Sequence, residues 1–454
     1  MKLYDFLKKQ GENGRIPFHM PGHMRKKFPY LVGEDIDFTE IDGLDDLHAP
    51  DGILCDAMDN AARVFGARKA FFLVGGSTVG ILSAIYAVAN GGKTVVAARN
   101  CHKSVYNALT LTGSKVKYIY PERHPLGFSL EITPQSVKSA LAEMPDAAAV
   151  IITSPTYDGV VSDIEAIAAV CHESGVPLIV DAAHGAHLGF LDGSVPSPVK
   201  CGADIVVTSL HKTMPSLTQT GLLLLSGDLA DEEKIASSLG IFETSSPSYI
   251  LMASIDGCVR SYGDVRLFSD WHERLEKIRR AAENTAVTLT VPQSFAFDES
   301  KLIVSSDGYT GAELAEILRE KHNIEPEMVS ENYVLLLTGA GLGDTQVNAV
   351  SAFFASLPRK SGNVLHLSNN TPVCESVMTM AEADVRESEE IQASAAVGRI
   401  SADMLTPYPP GIPLVVPGEV ISSTVVEYIE KLYAEGTKIV TPRGHYDGKI
   451  RVLR

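Results

Sequence analysis

The sequence predicts an α/β fold, with a large domain on a mostly parallel seven-stranded sheet, an N-terminal arm before it and a smaller α+β region after it. Three observations carry that prediction. Between residues 70 and 225, short runs rich in β-branched and apolar residues alternate with helix-length amphipathic stretches. Such alternation marks strands joined by crossover helices, and the intervening lengths suit right-handed βαβ units. After a long polar helical stretch at 265–288, the pattern changes to short strand, helix, short strand, which marks a second unit.

In chain order, an arm rich in His, Pro and Gly comes first, Ile16-Pro17-Phe18-His19-Met20-Pro21-Gly22-His23. Strands are expected at 70–74, 94–98, 115–120, 148–153, 176–181, 205–209 and 220–225, each a short apolar run of strand length. Helices are expected between them at 78–89, 103–112, 134–143 and 163–173. The smaller unit takes strands at 302–305 and 333–337 with a helix at 311–322. An acidic helix is expected at 387–396. Four prolines between 406 and 413 then exclude regular helix and impose an extended, stiff path. The division that follows is an arm at 1–50, a large domain at 51–290, a small α+β domain at 291–360 and a C-terminal segment at 361–454. Neither internal repeats nor low-complexity tracts interrupt it.

With 454 residues, 45% of them apolar and 21% charged, the chain has enough material for a large core and two or three domains. A net charge of −17 argues against nucleic acid or an anionic membrane as partner, and is compatible with steering a cationic small molecule. The six cysteines are widely spaced and form no C-x-x-C pair, so neither a zinc site nor a disulfide framework is expected. Reduced thiols in a cytoplasmic protein fit them best. The first ten residues carry charges where a secretory signal needs an apolar core, and no run of about 18 apolar residues occurs. Neither export nor a membrane span is expected.

The chemistry is read at the ends of the expected strands, because ligands of open α/β sheets gather outside the carboxyl ends. Gly75-Gly76-Ser77-Thr78 follows the first strand; small residues there let backbone N–H groups and a helix N-terminus approach a phosphate, with the Ser77 and Thr78 hydroxyls completing the cradle. A plain turn with a helix cap is the alternative. Asp181 ends an apolar run, where a buried carboxylate must find a cation or donors. A protonated pyridine nitrogen is one such partner; a helix cap or structural ion pair is another. His184 and His187 have the spacing of a zinc pair, but a third ligand at plausible spacing is missing, and no metal is expected. Lys212 follows the strand at 205–209 and sits among Ser209, His211 and Thr213. A lone loop lysine is usually solvated, yet an amine in a partly desolvated pocket has a lowered pKa and attacks aldehydes. His102, after the strand at 94–98, has a ring suited to stacking on a flat heteroaromatic, although without the other three sites a surface helix start is the better reading.

The order Gly-Gly-Ser-Thr, His-Lys-Ser, Asp-x-Ala-His, Ser-x-His-Lys is more specific than any of its members. The chain resembles the fold-type-I decarboxylases of ornithine, lysine and arginine that depend on pyridoxal 5′-phosphate (PLP), in the short bacterial form without an N-terminal wing domain. Further segments carry the resemblance: Phe18-His19-Met20-Pro21-Gly22-His23, the stretch from Glu40 to His48, Ser154-Pro155-Thr156-Tyr157-Asp158-Gly159, Thr244 to Tyr249, Pro407 to Pro413, and Pro417-Gly418-Glu419. It implies Lys212 as the Schiff-base lysine, Asp181 on the pyridine nitrogen, Ala183 and His102 on the two ring faces, and His184 among the cofactor contacts. It implies Gly76, Ser77, Thr78, Ser209 and His211 around the phosphate. Ser246, in the segment from Thr244, is implied to reach a neighbouring subunit's cofactor, hence at least a homodimer with shared sites. Ala182 departs from the pattern, standing where many relatives carry Glu.

The implied reaction removes the α-carboxylate of a basic amino acid, arginine slightly favoured, for polyamine metabolism. His211 or the freed Lys212 is the expected proton donor to Cα. Asp42, Asp45, Asp46 and Glu419 are candidates for the substrate's cationic tail, each with a solvated or capping alternative. Two other readings stay open: transamination or another PLP reaction, and an inactive regulatory paralogue. The latter usually loses the lysine or the aspartate, and both are present here.

Overall fold

The computed structural model describes residues 1–12, 17, 19–27, 29, 32–191, 195–360, 373–408, 411–434 and 436–454. Ile16 and Phe18 of the arm, and Pro409 and Pro410 of the proline-rich segment, lie outside them. Helices α1 (Leu3–Gly11) and α2 (Ile53–Phe65) precede the main sheet. The sheet is laid down as β1 (Lys69–Leu73), α3 (Gly76–Ala89), β2 (Thr94–Ala98), α4 (Lys103–Thr112), β3 (Lys115–Ile119), α5 (Pro134–Glu143), β4 (Val150–Thr153), a short β5 (Val160–Val161), α6 (Ile164–Glu173), β6 (Leu178–Asp181), β7 (Ile205–Ser209), the single turn α7 (Leu210–Thr213) and β8 (Gly221–Leu225).

Seven of these strands pair in the order β1-β8-β7-β6-β4-β2-β3. Only β8 runs against its neighbours β7 and β1, so the expected mostly parallel sheet is what forms. Every residue of β2, β6, β7 and β8 is buried. Uninterrupted apolar runs such as Leu222-Leu223-Leu224-Leu225 are what a sheet covered on both faces demands. The crossover helices start on local signals: Thr133 caps α5 with Pro134 in its first turn, and Asp163 caps α6. As a result the carboxyl ends of β1, β2, β4, β6 and β7 share one edge with the start of β8.

Helices α8 (Glu232–Phe242) and α9 (Tyr249–Ser261), which the periodicity reading leaves unassigned, pack on α3 and on α1 and α2 respectively. Helix α10 (Val265–Ala282) leads out of the large unit and ends before the expected 288. Next come β9 (Thr288–Thr290), β10 (Ala296–Phe297), β11 (Lys301–Ser305), α11 (Gly311–His322), β12 (Met328–Val329), β13 (Val334–Leu337) and α12 (Asp344–Ser356). They build an antiparallel sheet ordered β12-β13-β11-β9, while β10 pairs with β5 and ties this unit to the loop after β4.

The last part has its own apolar core around Val415, Ile421, Val425 and Ile450. It comprises α13 (Met380–Asp384), β14 (Ser388–Gln392), β15 (Thr406–Pro407), α14 (Ser423–Ala434), β16 (Ile439–Thr441), β17 (Gly444–His445) and β18 (Lys449–Leu453). The acidic helix expected at 387–396 is not there. Its residues form β14 and one 3-10 turn, Ala393–Ala395. The reason is the chain's final strand: β18 sets Ile450 opposite Ile391, Arg451 opposite Glu390 and Lys449 opposite Gln392. Cross-strand burial and charge pairing outweigh the helical propensity of an acidic stretch. Among the described residues no helix is long and apolar enough to cross a membrane.

Candidate active site

The loops at the carboxyl edge of the main sheet bring one group of expected residues together. Asp181, the last residue of β6, is 3% exposed, and its Oδ1 accepts the Ala183 N–H at 3.1 Å. Burial pushes its pKa up, while the Lys212 charge pulls it down. Lys212 stands on α7, the turn that continues β7. Its Nζ lies 3.0 Å from His184 Nε2. Burial lowers the Lys212 pKa, against the carboxylates of Asp181 and Glu327. His184 is itself buried, with the Tyr157 ring edge-on at 4.9 Å between centroids.

His102 caps α4: its Nδ1 accepts the Ser104 N–H at 3.3 Å. Burial, with the Lys212 and Lys103 charges added, lowers its pKa to about 4. Over this ring runs the proline-rich segment, where the Lys103 N–H donates to the Gly411 carbonyl at 3.1 Å. Gly411 has φ +84°, and a Cβ there would lie 3.1 Å from His102 Cδ2. A neutral, covered imidazole is the consequence.

Helix α3 begins after Gly75 without a side-chain cap, leaving the first N–H groups to an outside acceptor. Glu243 Oε1 takes the Val74 and Gly75 N–H groups at 3.0 and 3.3 Å, so the donors for a ligand come from Gly76 onward. The start of β8 packs beside them, and a Cβ on Gly221 would stand 3.6 Å from the Ser77 nitrogen. Ser209 Oγ, at the end of β7, is buried with no partner. The His211 Nδ1 lies 3.0 Å from the Thr220 carbonyl, which only accepts, so this nitrogen carries the ring's proton.

Other candidates lie in different surroundings. Asp45 is buried and spends its carboxylate on the N–H groups of Asp46, Asp51, Gly52 and Leu54, at 2.7–3.0 Å, which holds the start of α2. Asp46 accepts the His48 N–H at 2.8 Å, and Asp42 is exposed. Glu419 is fully buried against Arg99, Oε2 to Nη2 3.1 Å, and also takes the Val416 N–H. Ser246 lies on an exposed turn, its N–H donating to Thr244 Oγ1 at 3.3 Å. His187 does not share a ligand position with His184: it is fully buried between Asp298 Oδ1 at 2.9 Å and Thr213 Oγ1 at 3.2 Å. Among the described residues no group of three or more His, Cys, Asp or Glu is placed to hold a metal.

The structure adds residues that pattern reading misses. Lys301, at the head of β11, is 1% exposed, and its Nζ reaches His184 Nδ1 at 2.8 Å. Tyr157 donates its hydroxyl to Glu327 Oε1 at 2.5 Å, and buried Asp158 accepts the Tyr333 hydroxyl at 2.6 Å. The available signal was that Ser154 to Gly159 follows directly on β4, whose carboxyl end joins the site. A cavity of about 570 Å³ opens alongside, lined by Asn100, Tyr120, Arg123, Asp158, Tyr333 and Pro413 among others. Such a mix of aromatic wall and sparse polar groups suits a small molecule.

Comparison with known proteins converges on one family. Residues 2–303 match the family described as Orn/Lys/Arg decarboxylase, major domain, and residues 363–439 match its C-terminal domain. The chain is 34% identical to the arginine decarboxylase of Bacillus subtilis, covering 100% of this chain and 97% of that protein. It is 33% identical to the arginine decarboxylase of Bacillus anthracis, at 100% and 97% coverage. The crystal structure of the Francisella novicida lysine decarboxylase superimposes with a TM-score of 0.82 at 18% identity, over 100% of this chain and 81% of that one.

Proposed function

Because the chain belongs to the Orn/Lys/Arg decarboxylase family, and is thus a decarboxylase of basic amino acids, we propose that it decarboxylates arginine to its amine and CO2 with PLP carried by Lys212. Joined at one sheet edge, the buried Asp181 carboxylate and the desolvated Lys212 amine are the observation that carries this reading. Two relatives of near-equal length named for arginine favour that substrate over lysine or ornithine. The reading includes a cytoplasmic homodimer and a role in polyamine supply.

The residues present fit the cofactor. Ser209 Oγ is a buried hydroxyl without a partner, α3 starts uncapped, and Asp181 is a buried carboxylate that needs a cation. Gly76, Ser77, Thr78 and Ser209 would hold the phosphate, Asp181 the ring nitrogen, and Ala183 and His102 the ring faces. When bound, the group supplies an electron sink for the pair left on Cα as CO2 departs.

The protein's own groups do the rest. Asp181, kept from water, stabilises a positive charge opposite it more than an exposed carboxylate would. The covered loop at His102 keeps water from that face. His211 has its proton committed to the Thr220 carbonyl, and burial lowers its pKa, so the neutral ring offers a lone pair at Nε2. That leaves Lys212 Nζ as the proton donor to Cα. Tyr157 and Glu327 bound the same space from the small unit's side.

The test is a panel of arginine, lysine and ornithine with CO2 and product measured together. Arginine is expected to give amine and CO2 in equal amounts with the highest kcat/KM. Lys212→Ala is expected to fall by more than about a hundredfold. Keto acid formed without CO2 would replace decarboxylation with transamination.

A further inference from the structure

We propose that Glu327, with the Tyr408 ring beside it, binds the cationic end of the substrate and selects a guanidinium there, an assignment that rests on Lys212 being the cofactor lysine and arginine the substrate. A basic amino acid brings a positive charge at the far end of its side chain, and a site that encloses it must set a carboxylate there. Asp45 and Glu419 spend theirs on backbone N–H groups and on Arg99. Glu327 spends only part of its own. Its Oε1 accepts the Tyr157 hydroxyl at 2.5 Å, and among the described residues no lysine, arginine or histidine forms an ion pair with it. An ionised carboxylate has about four lone-pair positions. One bond to Tyr157 therefore fixes its rotation and leaves an edge for two parallel N–H donors.

The place of this carboxylate is set outward from the lysine. Lys212 Nζ lies 3.0 Å from His184 Nε2, the Tyr157 ring stands edge-on to His184 at 4.9 Å, and the Tyr157 hydroxyl meets Glu327. One aromatic ring is thus the spacer between His184 and the acid, and the Glu327 charge opposes the lowering of the Lys212 pKa. The backbone holds the acid still: the Glu327 N–H donates to the Leu335 carbonyl at 2.9 Å, where β12 joins β13, and Pro326 before it is buried. Lys301, whose Nζ is 5.8 Å from the Tyr157 ring centroid, turns that amine to His184 Nδ1 at 2.8 Å.

A flat face comes from the proline-rich segment. Tyr408 is 57% exposed, and an added Cβ on Gly411 would lie 3.7 Å from its Cδ2 and 3.1 Å from His102 Cδ2, so Gly411 sits between the two rings. Tyr408 is also close enough to act on the Tyr157 hydroxyl. A planar guanidinium uses both parts, its paired N–H groups on a carboxylate and its face on an aromatic ring, whereas an ammonium is a single point charge. That asymmetry favours arginine over lysine and ornithine.

The test uses PLP-loaded protein and ligand pairs that differ in the charge of the tail: arginine against citrulline, its neutral urea isostere, for turnover, and the decarboxylated amine of each for binding by calorimetry. Glu327→Gln, which keeps an acceptor for Tyr157, should lose about a hundredfold for arginine, chiefly in KM, and little for citrulline, with the cofactor absorbance as in wild type. Tyr408→Leu should lose about fivefold for arginine and less for lysine. An unchanged preference for arginine over citrulline in Glu327→Gln overturns the proposal. Should that variant not fold, undiminished binding of the arginine amine by Glu327→Asp, whose carboxylate is drawn back by one methylene, overturns it as well. Equal losses for arginine and lysine in Tyr408→Leu would overturn the selection of a guanidinium. Wild-type protein that releases no CO2 from arginine, yet binds its amine in a Glu327-dependent way, would instead sink the proposed reaction and leave the tail site standing.

Discussion

His102, His184 and His211 each sit where an added proton is costly, since burial is the first cause of the lowered pKa in all three, to about 4 for His102. In the unfolded chain a histidine titrates near 6.5. Between that value and 4 the unfolded state binds the His102 proton and the folded state does not, so this group's contribution to stability rises with pH and is lost on acidification. The slope is about 1.4 kcal/mol per pH unit for one such ring. Buried Asp181, Asp158, Glu243 and Glu419 have raised pKa values and act in the opposite sense, so the histidine share must be read as a difference. The gap in unfolding free energy between His102→Gln and wild type should shift in favour of the variant as pH falls from 6.5 to 5. A gap independent of pH would show that His102 is not the buried neutral ring described. At this scale Asp181 and Lys212 were legible, because each stands right after an apolar run long enough to be a strand. Lys301 was not, because a lysine in front of such a run reads as solvated until the fold closes over it.

The strands of the main sheet were legible to within a residue or two at most ends, because burial on both faces requires unbroken apolar runs. Where an element depends on a distant partner, local pattern fails, as at β14, whose strand state comes from β18 at the other end of the segment. The junction of β7 with β8 depends on close approach of a different kind. Gly221 begins β8 opposite Ser209, and a Cβ there would lie 2.7 Å from the Thr208 carbonyl oxygen, a backbone atom that cannot rotate away. Gly221→Ala must therefore push the start of β8 off the end of β7, which carries Ser209 and leads into Lys212, and off the Ser77 nitrogen. Overpacking of this kind costs about 1–3 kcal/mol. A lowered melting temperature together with weaker PLP retention in dialysis is expected. Retention equal to wild type in the destabilised variant would separate this junction from the donors proposed for the phosphate.

At the scale of the whole molecule, the C-terminal part keeps an apolar core of its own, while its Met380, Met404 and Val416 join the core of the large unit, and polar contacts add to that meeting. Arg99, on the loop that also carries His102, is the centre of that meeting. Its Nη1 donates to the Pro413 carbonyl at 2.7 Å and the Tyr106 hydroxyl at 2.9 Å, and its Nη2 to the Leu414 carbonyl at 3.2 Å and Glu419 at 3.1 Å. Tyr106 and Tyr118 lie under the guanidinium, each 5.3 Å away. Arg99 and Glu419 are 320 residues apart, so no local pattern announces the pair, and the sequence offered Glu419 as a candidate for the substrate's cationic tail. Arg99→Met keeps the volume of the stem but leaves the Glu419 carboxylate buried and alone, which costs about 3–5 kcal/mol. Glu419→Gln leaves a neutral group and should cost less. If the two act as one contact, the double variant will be less destabilised than the sum of the singles, by about 0.5–3 kcal/mol. Hydrogen exchange should rise first at 411–421, and the loop holding His102 should follow, while β6 and β7 stay protected. Additive losses, or exchange rising together in β6 and β7, would mean that Arg99 supports the main core and does not dock the C-terminal part onto the active-site edge.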